Sequence, residues 1–117
     1  MAAASARIPV EALQAWQQAI ESGVRATRTA EDPHNAWYSL SSLYARENQF
    51  DPTERCLRQA ILSSPKWFKP HWMLAQVLMT KDRRDEARME AELAVSLNGE
   101  KNPEVVRTLN EIRANNR

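Results

Sequence analysis

The pattern Trp37-x2-Leu40-Ser41-x2-Tyr44 returns 34 residues later as His71-x2-Leu74-Ala75-x2-Leu78. The correspondence continues. Thr53-x3-Leu57-x2-Ala60 is answered by Ala87-x3-Ala91-x2-Ala94, and Pro65 by Gly99. Leu40/Leu74, Asp51/Asp85 and Ala60/Ala94 are identical across the offset, and Leu43/Val77 and Ile61/Val95 are like for like. A repeat of this length constrains the fold strongly, because each unit is one supersecondary element that buries its apolar face only by stacking on a neighbour. Within the unit the spacing is helical. Trp37, Leu40 and Tyr44 fall three and four residues apart and so line one stripe. Ala60 and Ala94 are the small residues of a second helix, at the contact with the first. Asp51 and Asp85 sit just before that second helix, where a carboxylate is expected to cap free N–H groups and meet the positive end of the dipole. Pro65 ends the unit by biasing the chain away from helix.

These spacings resemble the tetratricopeptide repeat, whose period is about 34 residues and whose signature runs W-x2-L-G-x2-Y…A-x3-F…P. Ser41 and Ala75 stand where that signature has glycine. The second copy departs at His71 for Trp, Leu78 for Tyr, Ala91 for Phe or Leu, and Gly99 for Pro. The resemblance implies an all-α, right-handed solenoid of helical hairpins with about five helices. It also implies a binding surface and no chemistry in the repeat itself. Residues 1–8 are then a flexible N-terminus, 9–33 a flanking helix, 34–67 and 68–101 the two repeats, and 102–117 a C-terminal capping helix.

Helical spacing predicts the remaining elements. Pro9 suits a first turn, and Val10, Leu13, Trp16, Ile20 and Val24 recur on one side to about Arg28. Ala19 and Ala26 fall 34 residues before Thr53 and Ala60, so this helix stands as the second helix of a missing repeat. Glu31-Asp32-Pro33 breaks it. Repeat helices are predicted near 34–47, 51–63, 69–81 and 84–97, with Asn48-Gln49-Phe50 and Asp82-Arg83 as the tight turns. Asn98-Gly99 is a helix stop. Asn102-Pro103 opens a last helix with Val105, Val106, Leu109 and Ile112 on one side and Arg107, Asn110, Glu111, Arg113 and Asn115 on the other. Such a helix solvates the end of a repeat array. Trp16, Trp37, Leu40, Tyr44, Leu74 and Leu109 are read as core.

Composition narrows the function classes. Two glycines and six prolines disfavour hairpins and collagen-like or disordered chains, and the abundance of Ala, Leu, Glu and Arg favours helix. Lys and Arg number 16 against 15 Asp and Glu, a balance with no long-range pull on nucleic acid or acidic lipid. Cys56 is alone and has no intrachain disulfide partner. No apolar run reaches the length of a membrane span. A cytoplasmic setting is expected if this is the whole chain, and an extracytoplasmic one remains open if it is part of a membrane protein.

In tetratricopeptide proteins the first helices line a concave surface that binds peptide segments. By that resemblance the groove residues are Asn35, Tyr38, Ser39, Ser42 and Arg46 from the first repeat, with Lys69, Trp72, Met73, Gln76 and Met79 from the second. Arg107 and Asn110 could extend the set. Tyr38 and Trp72 share one slot a repeat apart and are aromatics of the kind favoured in binding hot spots. Met73 and Met79 add adaptable apolar surface. The competing place for Trp72 is an inter-repeat contact with Trp67 or Phe68. Some members of the family clamp a terminal carboxylate with Lys and Asn residues on the first helices. Only Lys69 fits that pattern here, with Tyr38, Ser42 and Met73 in place of the rest.

Enzyme signatures are missing: the chain has no glycine-rich phosphate loop, no paired Cys for zinc and no H-E-x-x-H. His34 and His71 lie one repeat apart and read as helix-start residues. Cys56, between Arg55 and Arg58, has neighbours that could lower its pKa, yet without a base it reads as a small packed or half-exposed thiol. The run Lys81-Asp82-Arg83-Arg84-Asp85-Glu86 alternates in sign and reads as a solvated turn. The leading expectation is a non-catalytic module, without cofactor or metal, that binds a protein or peptide and neither nucleic acid nor membrane. The alternative is a structural or self-associating end of a larger protein, with homo-oligomers open. The stretch Ser64-Pro65-Lys66-Trp67-Phe68-Lys69-Pro70-His71-Trp72, with the trailing repeats, loosely resembles tails of bacterial membrane proteins that polymerise or ligate surface polysaccharide.

Overall fold

The computed structural model describes residues 10–97 and 101–115. It has six helices: α1 (Val10–Thr29), α2 (Pro33–Arg46), α3 (Phe50–Ser63), α4 (Phe68–Thr80), α5 (Arg84–Ser96) and α6 (Pro103–Asn115). No strand occurs among the described residues. Six helices compare with the five or so expected, since both flanking segments form full elements. The flexible segment expected over residues 1–8 and the helix stop at Asn98-Gly99 lie outside the described residues. No described helix is long and apolar enough to cross a membrane.

Each helix packs on the next along the chain, and α4 also meets α6. The two internal turns are built alike. Asn48 (φ 57°) and Asp82 (φ 60°) are left-handed, a region that Asn and Asp tolerate better than other residues with a Cβ. The next N–H reaches back over the helix end, Gln49 to the Tyr44 carbonyl at 3.0 Å and Arg83 to the Leu78 carbonyl at 2.8 Å. Both are Schellman closures, one repeat apart. The turns therefore keep the same 34-residue phase as the apolar stripe.

The capping role expected of Asp51 and Asp85 is corrected. α3 and α5 begin one residue earlier, at Phe50 and Arg84, so these carboxylates lie within the first turn. Gln49 and Arg83 occupy the N-cap positions and make no side-chain cap bond. Asp51 instead accepts a hydrogen bond from Lys81 at 2.6 Å. At α6 the Asn102 side chain does cap, accepting from the Glu104 N–H at 3.0 Å.

Leu57, Leu74, Ala75, Leu78, Ala87, Ala91, Leu109 and Ile112 belong to one buried cluster, centred on the second hairpin. Ala60 and Ala94 are fully buried at equivalent positions, as the repeat phase requires. Val105, Leu109 and Ile112 bury the apolar side of α6, with Val106 half-buried. Leu40, Leu74 and Leu109 are core as expected, but Trp16, Trp37 and Tyr44 are only half-buried. The cause is α1. It occupies a second-helix slot with no first helix before it, so none of its residues is fully buried, and Val10 and Leu13 stay 63% and 40% exposed. Gly23 takes the slot of Leu57 and Ala91. A Cβ there would lie 2.9 Å from Leu40 Cδ1, so glycine permits the close approach of α1 to α2.

Candidate binding faces

The even-numbered helices form one face of the stack. Gln76 and Met79 of α4 and Thr108, Glu111 and Asn115 of α6 line a depression of about 320 Å³ there. Trp72 leans toward the same helix, its indole N–H donating to Thr108 Oγ1 at 2.9 Å. It contacts the cap, an option sequence reasoning did not weigh. Trp67 instead packs on α2, with ring centroids 5.0 Å from Tyr38 and 5.2 Å from His34. Tyr38 is thereby half-buried, and burial raises its pKa. Met73 lies against α2, its sulfur accepting from Ser41 Oγ at 3.8 Å.

The ten residues expected to form one groove are thus divided. Gln76 and Met79 share the depression, while Tyr38 and Met73 are packed against the core. Asn35, Ser39 and Lys69 are exposed, and Ser42 is half-buried and donates to the Tyr38 carbonyl. Arg46 borders another hollow, about 410 Å³, with Trp16 and Leu43. Arg107 and Asn110 are exposed outside the depression, where Thr108, Glu111 and Asn115 take part instead.

The odd-numbered helices form the opposite face, with two seams of different character. Between α3 and α5 the acidic side chains of α3 meet basic residues from the next hairpin. Glu54 accepts from Lys81 at 2.7 Å, from Arg83 at 2.9 Å and from its own helix's Arg58 at 2.9 Å. Burial alone would raise the Glu54 pKa, but bonds from Lys81 and Arg58 and the charge of Arg83 outweigh it and lower it to about 2. Arg58 also pairs with Glu86 at 3.5 Å, and Arg83 with Glu86 at 2.8 Å. The 81–86 run is therefore an inter-repeat clasp, which corrects its reading as a solvated turn.

Between α1 and α3 there is a cleft of about 680 Å³. Val24, Trp37, Leu40 and Tyr44 form its apolar floor, and Arg28, Arg55 and Arg58 border it. Trp16 closes one side of α2, with an indole N–H bond to the Leu43 carbonyl at 3.2 Å and an edge contact to Tyr44.

Residues 34–66 match the family model of the tetratricopeptide repeat. No curated protein matches the sequence. The second tetratricopeptide domain of human RPAP3, solved with an HSP70 peptide, superposes with a TM-score of 0.75 at 19% identity, over 84% of this chain and 81% of that one. The Sgt2 domain from Aspergillus fumigatus gives 0.77 at 16% identity, over 90% and 70% of the two chains. The Yersinia enterocolitica type III secretion chaperone SycD, in complex with a peptide of the translocator YopD, gives 0.76 at 16% identity, over 92% and 86%. The fold is that of a tetratricopeptide solenoid.

Two polar residues of this tetratricopeptide stack were misjudged or undervalued from sequence. His71, in the signature Trp slot, is buried, with Nδ1 2.8 Å from Glu90 Oε1 and Nε2 3.0 Å from the Pro65 carbonyl. Both partners are acceptors, so the ring satisfies both only as the doubly protonated imidazolium. Burial works against that charge, but the Glu90 and Pro65 bonds prevail and the pKa is raised. Glu90 sits in the slot of Cys56, so the two changes between copies are paired, a signal the sequence did carry. Cys56 is itself buried, and burial pushes its thiol up to about 11 against the smaller pull of Arg55. The expected lowering by the flanking arginines is overturned, and the thiol is a protonated, unreactive lining group.

Proposed function

We propose that the chain is a protein-interaction module that holds a peptide segment of a partner on the face of α2, α4 and α6, the concave side of a tetratricopeptide stack. On this reading residues 34–67 and 68–101 are two repeats, between a flanking helix over 9–33 and a cap over 102–117. The observation that carries it is the depression on that face, where Gln76, Thr108, Glu111 and Asn115 offer polar groups around Met79. The peptide-bound human and Yersinia neighbours support the class of ligand. With Lys69 as the sole residue of a carboxylate clamp, the groove suits an internal segment rather than a chain end.

Selection from a displayed random-peptide library tests this. Enriched peptides should bind the native chain and lose affinity about tenfold in Gln76→Arg/Glu111→Arg, two exposed sites whose change leaves the melting temperature alone. No enrichment, or binding indifferent to that pair, would contradict it. A second reading, a structural or self-associating domain, is favoured by the uncovered apolar side of α1. Concentration-dependent association abolished by Val10→Glu/Leu13→Glu would establish it.

A further inference from the structure

The face of α2, α4 and α6 does not use the largest cleft of the molecule, which lies on the opposite side between α1 and α3. Its chemistry is not that of a packing defect. Trp37 and Tyr44 contribute aromatic surface and Leu40 and Val24 aliphatic surface, while the rim carries three guanidinium groups, Arg28, Arg55 and Arg58. No acidic residue is among the described lining. Nearby carboxylates are committed elsewhere: Asp51 to Lys81, Glu54 to Lys81, Arg83 and Arg58, and Glu86 to Arg83 and Arg58. Arg28 and Arg55 make no ion pair among the described residues.

The second seam shows what a closed version looks like. One repeat on, the slots of Val24, Trp37 and Cys56 hold Arg58, His71 and Glu90, which are drawn into polar pairs. The slots of Arg28, Arg55 and Gln59 hold Leu62, Met89 and Leu93, all exposed. The first seam therefore reverses the arrangement, with apolar groups inside and cations at the mouth.

We propose that this cleft is a second binding site, which takes an acidic peptide segment of a partner protein through one apolar anchor side chain and flanking carboxylates. The cleft volume falls within the roughly 300–1,000 Å³ of ordinary ligand sites and exceeds what one anchor side chain needs. Aromatic floors of this kind are where interface anchors gain most from leaving water. Guanidinium forks match carboxylates in bidentate geometry, so Arg28 and Arg55 select for acid beside the anchor. A basic segment would meet like charge at every edge, and a neutral one would leave the arginines unanswered.

Indole N–H signals in heteronuclear NMR test the site in the intact chain. Four tryptophans give four signals, assigned by single Trp→Phe changes, and Trp37 reports this cleft while Trp72 reports the opposite face. The probes are short amidated peptides with Leu or Phe flanked by Asp and Glu, a matched set with Lys in place of the acids, and an oligothymidylate. The acidic set should move the Trp37 signal saturably and leave Trp72 still, and the lysine set should move neither. Arg28→Glu/Arg55→Glu should weaken the acidic set about tenfold or more without lowering the melting temperature. A static Trp37 signal, an equal response to the lysine set, or undiminished binding by the double variant would overturn the proposal. So would an equal response to the oligothymidylate, or a Trp37 shift driven by protein concentration alone, which would give the cleft to a second copy.

Discussion

The two seams on the odd-helix face are built on one repeat frame, yet one is pinned shut and the other stands open. At the α3–α5 seam, Asp51, Glu54 and Arg58 face Lys81, Arg83 and Glu86. One repeat earlier the same slots hold Gln17, Ile20 and Val24 against Glu47, Gln49 and Pro52, a set with no opposite charges to pair. The first copy matches the tetratricopeptide signature better, but the second is better packed. Signature residues fix helix geometry and phase, whereas closure depends on what the next helix over presents. Tyr44 illustrates this, being half-buried where its counterpart Leu78 is fully buried.

Changes within the core should expose the difference most. Leu74→Ala should cost about 2–5 kcal/mol by chemical denaturation, while Leu40→Ala, beside the open cleft, should fall at or below the lower end. Equal losses would break the comparison. Glu54→Ala should come next, at about 2 kcal/mol, since it removes the acceptor shared by three cations from a buried position. Because the Glu54 pKa is lowered to about 2, its contribution is present above the usual carboxylate range and is lost as pH falls toward 2. Acid titration of the wild type and of Glu54→Gln should converge in that window.

His71 gives the opposite sign. Its raised pKa means that its contribution, about 1 kcal/mol for an ordinary hydrogen bond, is complete below pH 6.5 and is lost as pH rises through the folded value. A ring titration by NMR with a midpoint below 6.5 would refute the imidazolium assignment. The smallest effect tests the clasp by transplanting it. Gln17→Asp/Glu47→Lys copies the Asp51–Lys81 pair one repeat earlier and should add up to about 0.5 kcal/mol, fading at high salt.

The helical phase was legible because Ala60 and Ala94 tolerate no larger residue at a close helix contact, and the burial of both bears that phase out. The turns were legible too, as Asn48 and Asp82 are residues that accept left-handed backbone. What escaped depended on groups that meet far apart in sequence. The clasp joins charges some 30 residues apart, so the 81–86 run looked solvated. The Cys56 pKa was misread because neighbouring arginines are visible in sequence and burial is not. For the groove, slot equivalence put Tyr38 and Trp72 side by side, but Trp67 claims the Tyr38 ring and Thr108 the Trp72 indole. Neither partner falls on the repeat frame that was being matched.

Native-state hydrogen exchange, resolved by residue, tests most directly whether the first seam is open and the second clasped. Opening free energies should be lowest along α1, whose apolar side buries no residue fully, and highest in α3, α4 and α5, where exchange requires global unfolding. Protection of the α1 amides equal to that of α5 would contradict the account.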